Sequence, residues 1–485
     1  MVSRYEAPFL ETRERDYALM ICSLRLRVRA LLAFSALLAL TASPFTAPLH
    51  AQSPDAIPAK YREIANRIIA AAEADSTGAW DRIAELTDRF GHRLSGSLAL
   101  EEAITWTAAQ MTRDGLDNVR TERVMVPHWV RGAESLVLVS PRRQPLPMLG
   151  LGGSIATPAG GITAEVIVVA SFEELTQRAA EARGKIVLYD AEWRSYGYNG
   201  AFRRQGAIAA AKVGAVASLA RAAGPYGMRT PHTGSMSYDS TVRRIPHASV
   251  AAEDAMMIRR MIGRGETVRV TLTMSAQMLP DAESRNVMGE LRGREKPEEI
   301  VVMGGHIDSW DVGQGAMDDA GGVVVAWEAI RLLKRLGLTP RRTIRVVGWT
   351  NEENGGRGAI VYRDLHQQER HQLAIESDAG VFAPLGFGFT GTPDARAAIE
   401  AIGSLLAPIG ASTIAASGGG ADIGPIMATG VPGMGLNVDD TRYFWFHHTE
   451  ADTPDKLDPR EVRRNVAAMA VMAFIAADLE QSLRP

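Results

Sequence analysis

The sequence predicts an α/β/α sandwich built on a mixed, mostly parallel sheet, with a separate β-rich module inserted into it. Three observations carry this prediction. From Arg285 onward, short buried-strand runs alternate with helical runs, the pattern of a parallel sheet covered on both faces. Between about Arg131 and Met278 the texture changes to glycine and short β-branched runs, which predicts many short strands. Ahead of that stretch the chain reads as helical, so its first elements belong with the later α/β part and the middle is an insertion. A chain of 485 residues is too long for one ordinary core. The division expected is a leader over 1–51, a first catalytic-domain part over 52–130, the insert over 131–280 and the main α/β part over 281–485.

The elements follow in order. After a proline-containing linker at 53–58, residues 59–73 and 77–90 have helical periodicity, with Ile64, Ile68 and Ile69 on one face. A third helix is predicted over 99–112 and an alternating strand over 119–126. Inside the insert, strands are predicted at 135–139, 164–170, 185–189, 215–219 and 267–274, with a helix over 206–214. Beyond it come a buried strand at 299–303, a helix over 321–336, a strand at 343–349 and further strands at 373–376 and 433–438. Asp458 and Pro459 read as a cap and a first-turn proline, opening a long apolar-faced helix over 460–479.

Bulk composition narrows the function. Hydrophobic residues make up 46% and charged residues 22%, as in ordinary globular proteins. With a formal net charge of −3 and dispersed basic residues, nothing points to nucleic acid. Arg25, Arg27 and Arg29 precede the apolar run 30–40, and 42–51 is rich in small residues and proline. That order reads as a secretory signal peptide cleaved after Ala51 and implies a secreted or periplasmic protein; residues 1–19 are charged and long for a leader, which makes Met20 an alternative start to Met1. The apolar run is too short for a confident membrane span. The single cysteine, Cys22, lies in this leader and before the apolar run, so no disulfide is expected in the mature chain.

The chemistry sits in five stretches: GGHIDSW at 304–310, AMDDAGG at 316–322, WTNEEN at 349–354, IESDAG at 375–380 and FHHTEADT at 446–453. Together they supply His306, Asp318, the Glu352–Glu353 pair, Asp378 and His448. These are metal-ligand types, and most fall just beyond a predicted strand, where open α/β sheets bind ligands. Each alone has an ordinary explanation, such as a core histidine, a helix-capping aspartate or a solvated acidic loop. Five at one sheet edge make accident a poor account.

The roles divide by chemistry. Asp308 follows His306 closely and is expected to hold the second ring nitrogen through its carboxylate. Asp318 suits a bridge between two cations, while its neighbour Asp319 caps the next helix. In an extended segment Glu352 and Glu353 point opposite ways, so one can bind metal while the other stays free as a base. Thr449 and Asp452–Thr453 are candidates to orient a ring of the His447–His448 pair.

These stretches resemble the co-catalytic zinc exopeptidases, the family of vibrio leucine aminopeptidase, glutamate carboxypeptidase II and the transferrin receptor. HIDSWDVGQGAMDDAGG and YFWFHHTEADT are most similar to its plasma glutamate carboxypeptidase (carboxypeptidase Q) branch. The resemblance covers most of the chain after residue 55, and GKIVLYD, AKVGAVA and IPHASVAAEDA in the insert resemble the family's protease-associated module. It implies two zinc ions per chain, with His306 and Asp378 on one, Glu353 and His448 on the other, and Asp318 on both. Glu352 would then be the general base acting on a zinc-bridging water. His447, Gly419 and Asp422 would line the substrate cleft, His447 near the oxyanion. The implied function is hydrolysis of dipeptides or short peptides by a homodimer; a glutaminyl-cyclase-like acyltransferase or a non-catalytic receptor-like relative are the alternatives.

Overall fold

The computed structural model describes residues 56–484 apart from 77 and 226, so the leader reading, Cys22 and Met20 lie outside the described residues. Two eight-stranded sheets organise the chain. The first runs in the order Asp117–Val130, Gln277–Leu291, Arg342–Trp349, Lys296–His306, Arg370–Glu376, Gly433–Val438, Pro384–Thr390, Thr413–Ala415. Its four central strands are mutually parallel, and antiparallel pairs flank them on both sides.

The central strands are apolar on both faces, as strands covered by helices on either side must be. In Lys296–His306, Val301 and Met303 point into one core while Ile300 and Val302 point into the other. In Arg342–Trp349, Ile344 and Val346 oppose Val347 and Trp349 in the same way. One face is covered by the helices Ala56–Ala74, Gly78–Phe90, Gly321–Arg335 and Pro459–Asp478, and the other by Arg357–His366. The predicted cap is present: Asp458 Oδ1 accepts from the Arg460 amide at 2.7 Å, with Pro459 in the first turn. Among the described residues no helix is long and apolar enough to cross a membrane.

The second sheet is built wholly from Glu134–Ser140 through Arg269–Met274. The middle stretch therefore has its own sheet, a few residues inside the expected 131–280. Residues 277–280 instead begin the long strand Gln277–Leu291, which pairs along its length with Asp117–Val130. Sequence reasoning missed that strand because its first half is polar and mostly exposed, stabilised by its partner rather than by a core. The predicted helix over 206–214 is the end of a longer one, Tyr196–Lys212, which starts at the cap Ser195.

Candidate active site

Four of the predicted site residues lie where a strand of the first sheet ends, and two lie on the turns that follow. His306 is the last residue of Lys296–His306, Asp378 follows Arg370–Glu376, and Glu352–Glu353 follow Arg342–Trp349. Asp318 lies in the turn of Ala316–Ala320 that enters the helix Gly321–Arg335, and His448 follows the short helix Tyr443–Phe446.

Asp318 is the centre. His306 Nε2 lies 3.2 Å from its Oδ1, and His447 Nε2 and His448 Nε2 lie 3.3 and 3.2 Å from its Oδ2. His306 Nε2 is also 3.5 Å from Asp378 Oδ1, and His448 Nε2 is 3.0 Å from Glu353 Oε2. Two donor clusters thus share one carboxylate: His306, Asp318 and Asp378 on one side, and Asp318 with Glu353, His447 and His448 on the other. His447 approaches the same Asp318 oxygen from outside the expected ligand set, and its ring stacks on that of His448 at 3.6 Å.

The donors fit divalent cations. Asp318 Oδ2 and His306 Nε2 are buried without a hydrogen-bond partner despite these short approaches, as atoms converging on a common point would be. Imidazole and carboxylate are also the donor types that zinc takes. Burial raises the carboxyls of Glu352, Asp378 and Glu353, the last to about 7. Burial also opposes ionisation of Asp318, but the imidazoles around it prevail and hold its carboxyl well below the usual range.

The supporting contacts depart from expectation. His306 Nδ1 sits 3.0 Å from the Asp308 carbonyl oxygen, while the Asp308 carboxylate stands 3.7 Å away. That carboxylate instead accepts from the amides of Glu352 at 3.1 Å and Glu353 at 3.4 Å, clamping the loop that carries the glutamates. The loop is a turn after Asn351, at φ 69°, and not the extended segment assumed from sequence. Both carboxylates line the open cavity but are held differently: Glu353 Oε1 accepts from the Trp310 amide at 3.1 Å and its Oε2 lies 3.0 Å from His448 Nε2, whereas the Glu352 side chain makes no hydrogen bond among the described residues.

Asp319 performs the expected capping and more. Its Oδ1 accepts from the Gly322 amide at 2.9 Å and its Oδ2 from the His306 amide at 3.1 Å. A Cβ at Gly305 or Gly322 would collide with this carboxylate, so both positions exclude side chains. Thr449 and Asp452 touch neither histidine ring. Thr449 Oγ1 donates to the Phe446 carbonyl, and Asp452 Oδ1 accepts from the amides of Ala316 and Met317, each at 2.9 Å. Asp452 therefore positions the segment bearing Asp318.

Sequence reasoning missed three supports. Arg93 is fully buried and donates to the carbonyls of Ile307, Gly91, Gln314 and Gly315 at 2.7–2.9 Å, stitching the His306 loop to the Asp318 turn. Arg203, from the insert, reaches the Thr233 carbonyl at 3.2 Å and the Tyr196 hydroxyl at 2.7 Å. Thr233 in turn presents that carbonyl 3.3 Å from His448 Nδ1. Only spatial proximity could reveal these, since most of the acceptors are main-chain carbonyls with no sequence signature.

A cavity of about 430 Å3 opens onto the cluster, walled by Tyr196, Arg203, Arg204 and Ser235 of the insert and by Asp440, Tyr443 and Phe444 of the main part. Gly419 and Asp422 are not on that wall, contrary to expectation. Asp422 is 1% exposed, and burial, with Glu376 next to it, pushes its carboxyl well above the usual range. The loop folds inward because Glu376 Oε2 accepts from the Ile423 amide at 2.8 Å.

Comparisons with known proteins give the family. The profile of peptidase family M28 matches residues 286–473. Carboxypeptidase Q of Mus musculus is 45% identical over 429 residues, covering 88% of this chain and 91% of that protein. Carboxypeptidase Q of Homo sapiens is 47% identical over 406 residues, covering 83% and 86%. The crystal structure of a peptidase M28 precursor from Shewanella amazonensis is 35% identical, with a TM-score of 0.85, covering 89% of this chain and 99% of that one. A zinc aminopeptidase from Bacillus subtilis, 19% identical with a TM-score of 0.62 over 83% of this chain and 97% of that one, shares the fold. On this sequence identity and coverage, the chain belongs to peptidase family M28 and is a metallopeptidase of that family.

Proposed function

We propose that this chain is an exported, dinuclear zinc exopeptidase that hydrolyses dipeptides or short peptides. The observation that carries the reading is Asp318, whose two oxygens face different donor clusters. His306 and Asp378 would hold one ion, Glu353 and His448 the other, and Asp318 both. Bound zinc would supply Lewis acidity, polarising the scissile carbonyl and bringing a water's pKa to about 7.

The chain's own residues do the rest. Glu352 stands in the cavity with no ligand partner and is buried enough to be a strong base, so it accepts the proton of the attacking water. It returns that proton to the leaving amine. His447 is kept neutral, chiefly by burial and by His448 beside it, and its ring faces the same cavity, so it can donate to the developing oxyanion.

Export is supported by the leader pattern in the sequence, a homodimer by the family resemblance alone. The separate sheet of Glu134–Met274 supports reading the insert as a protease-associated module. A one-zinc acyltransferase is disfavoured by the second donor cluster, and a ligand-poor binding relative by the full donor set. The test is a panel of dipeptides, N-acetylated peptides and C-terminal amides, with zinc content measured alongside. Hydrolysis that tracks two zincs per chain supports the reading; zinc-loaded protein that cleaves nothing in the panel overturns it.

A further inference from the structure

Trp310 closes the GGHIDSW motif, yet its side chain offers no metal donor and lines no part of the cleft. It is 2% exposed, and its indole Nε1 is buried without a hydrogen-bond partner, so packing alone seats the ring. It lies in an apolar cluster with Leu94, Trp129 and Val312 of the main part and Leu149 of the insert. The ring rests on the backbone of Gly152, also of the insert. A Cβ there would collide with the indole, although the φ of Gly152 lies outside the left-handed region. Gly152 is strapped to the segment that braces His448. Its amide donates to the Gly234 carbonyl and its carbonyl accepts from the Met236 amide, each at 3.0 Å. Between them, the Thr233 amide donates to the His448 carbonyl at 2.9 Å.

Trp310 also meets the metal cluster. Its amide supports Glu353 Oε1 at 3.1 Å, and its ring stands edge-on to the His448 ring at 5.7 Å. Next to it, Asp311 accepts from Arg131 at 2.8 and 2.5 Å, the guanidinium that also reaches the Thr233 hydroxyl. These supports are one-sided. Glu353 and His448 depend on Trp310 and the insert. The His306 ring and amide are held by Asp308 and Asp319, and the turn bearing Asp318 by Asp452, all of the main part. Among the described residues, no residue of the insert hydrogen-bonds to His306, Asp318 or Asp378.

We propose that Trp310 is a positioning residue that couples the seating of the insert to the Glu353–His448 metal site and leaves the His306–Asp378 site independent of it. The proposal rests on the dinuclear reading of the cluster. With the indole flat on Gly152, Glu353 Oε2 and His448 Nε2 stand 3.0 Å apart, in place to share an ion. An insert that lifts off takes a support from both residues at once. The site that must assemble its ligands from two parts of the fold therefore binds its ion second. Coupling of this kind is reciprocal: an ion that needs the seated insert also holds the insert down. The Gly152 and Met236 amides, which form the strap, report on the metal site from outside it.

The test withdraws zinc from the loaded full chain with a chromophoric chelator, for the wild type, Gly152→Ala, Trp310→Ala and Trp310→Phe. The wild type is expected to release its two ions in two steps. In Gly152→Ala the weaker step is expected to lose about 10- to 100-fold in affinity, the scale of an outer support, while the tighter step keeps its value. Trp310→Ala behaves alike, and Trp310→Phe, which keeps a flat ring, recovers part of the loss. Activity of Gly152→Ala returns as free zinc is raised. Hydrogen exchange at the Gly152 and Met236 amides is slower with two zincs bound than with one, and the difference shrinks in Gly152→Ala. Variants whose two steps match the wild type, or weaken equally, overturn the coupling, as does exchange at the two amides that ignores the second ion. A wild type that holds a single zinc overturns the dinuclear reading beneath it.

Discussion

His448 Nδ1 lies 3.3 Å from the Thr233 carbonyl, which belongs to the other sheet-forming segment and stands 215 positions away in sequence. A ring that donates there has Nε2 free, and Nε2 is the atom that faces Asp318 and Glu353. Arg203 donates to the same carbonyl, and Arg131 donates to the Thr233 hydroxyl at 3.1 Å, so the acceptor itself is held. Replacing Arg203 by alanine is expected to weaken zinc binding about 10- to 100-fold. Competition with a chromophoric chelator measures this directly; unchanged zinc affinity would show that the bracing is unnecessary.

Glu352→Gln should keep its zinc and lose activity by roughly 10²- to 10⁴-fold, because the amide has the shape but not the basicity of the carboxylate. Metal analysis and kcat on the same preparation decide it. Substantial residual turnover would remove Glu352 from the role of base.

The clamp at Asp308 makes a different prediction from a histidine-orienting carboxylate. Asp308→Asn sets an NH2 group against one of two buried amides, at a cost of about 1–3 kcal/mol in folding stability. Activity should fall while zinc content holds, since the His306 ring bonds the backbone carbonyl, which survives the substitution. Loss of zinc ahead of activity would restore the carboxylate to the ring.

Arg93→Met would strand four carbonyls that now share one buried guanidinium. A loss of about 3 kcal/mol or more is expected in denaturant unfolding. A variant as stable as the wild type would mean that water replaces the side chain at no cost.

The sheet's far end carries a titration that can be separated from the metals. Burial disfavours the charged form of Glu369, but hydrogen bonds from His366 and Arg345 prevail and hold its carboxyl down at about 2, from 4.5. Its contribution is therefore complete above pH 4.5 and is lost as pH falls toward 2. His366 also works against burial: Glu122 and Glu369 raise its pKa above 6.5, so its contribution is complete below pH 6.5 and is lost as pH rises through the raised value. Melting temperatures of wild type and Glu369→Gln should differ at pH 5 and converge toward pH 2. A gap that stays constant across that range would refute the pairing.

How legible the site was in sequence depended on what each residue contacts. His306, Glu353 and Asp378 announced themselves because they are ligand types just beyond apolar strand runs, and strand ends converge; Asp318 and His448 stood out by their acid-pair and histidine-pair motifs. Asp308 was found but given the wrong atom, since the pattern of a histidine and a nearby aspartate does not say whether carbonyl or carboxylate turns toward the ring. Arg93, Arg203 and Thr233 were invisible for a related reason: the contacts that matter run mostly through main-chain oxygens between segments far apart in sequence. The strand Gln277–Leu291 was hidden by its polar half, which borrows order from Asp117–Val130.

The insert's hold on His448 also bears on how such enzymes can be rebuilt. Grafting a foreign module between Val130 and Gln277 would swap out a support of the metal site along with the cleft wall. Chimeras that exchange this module to change specificity must therefore carry over the Arg203–Thr233 brace, or accept a His448 ring whose Nδ1 nothing holds in place.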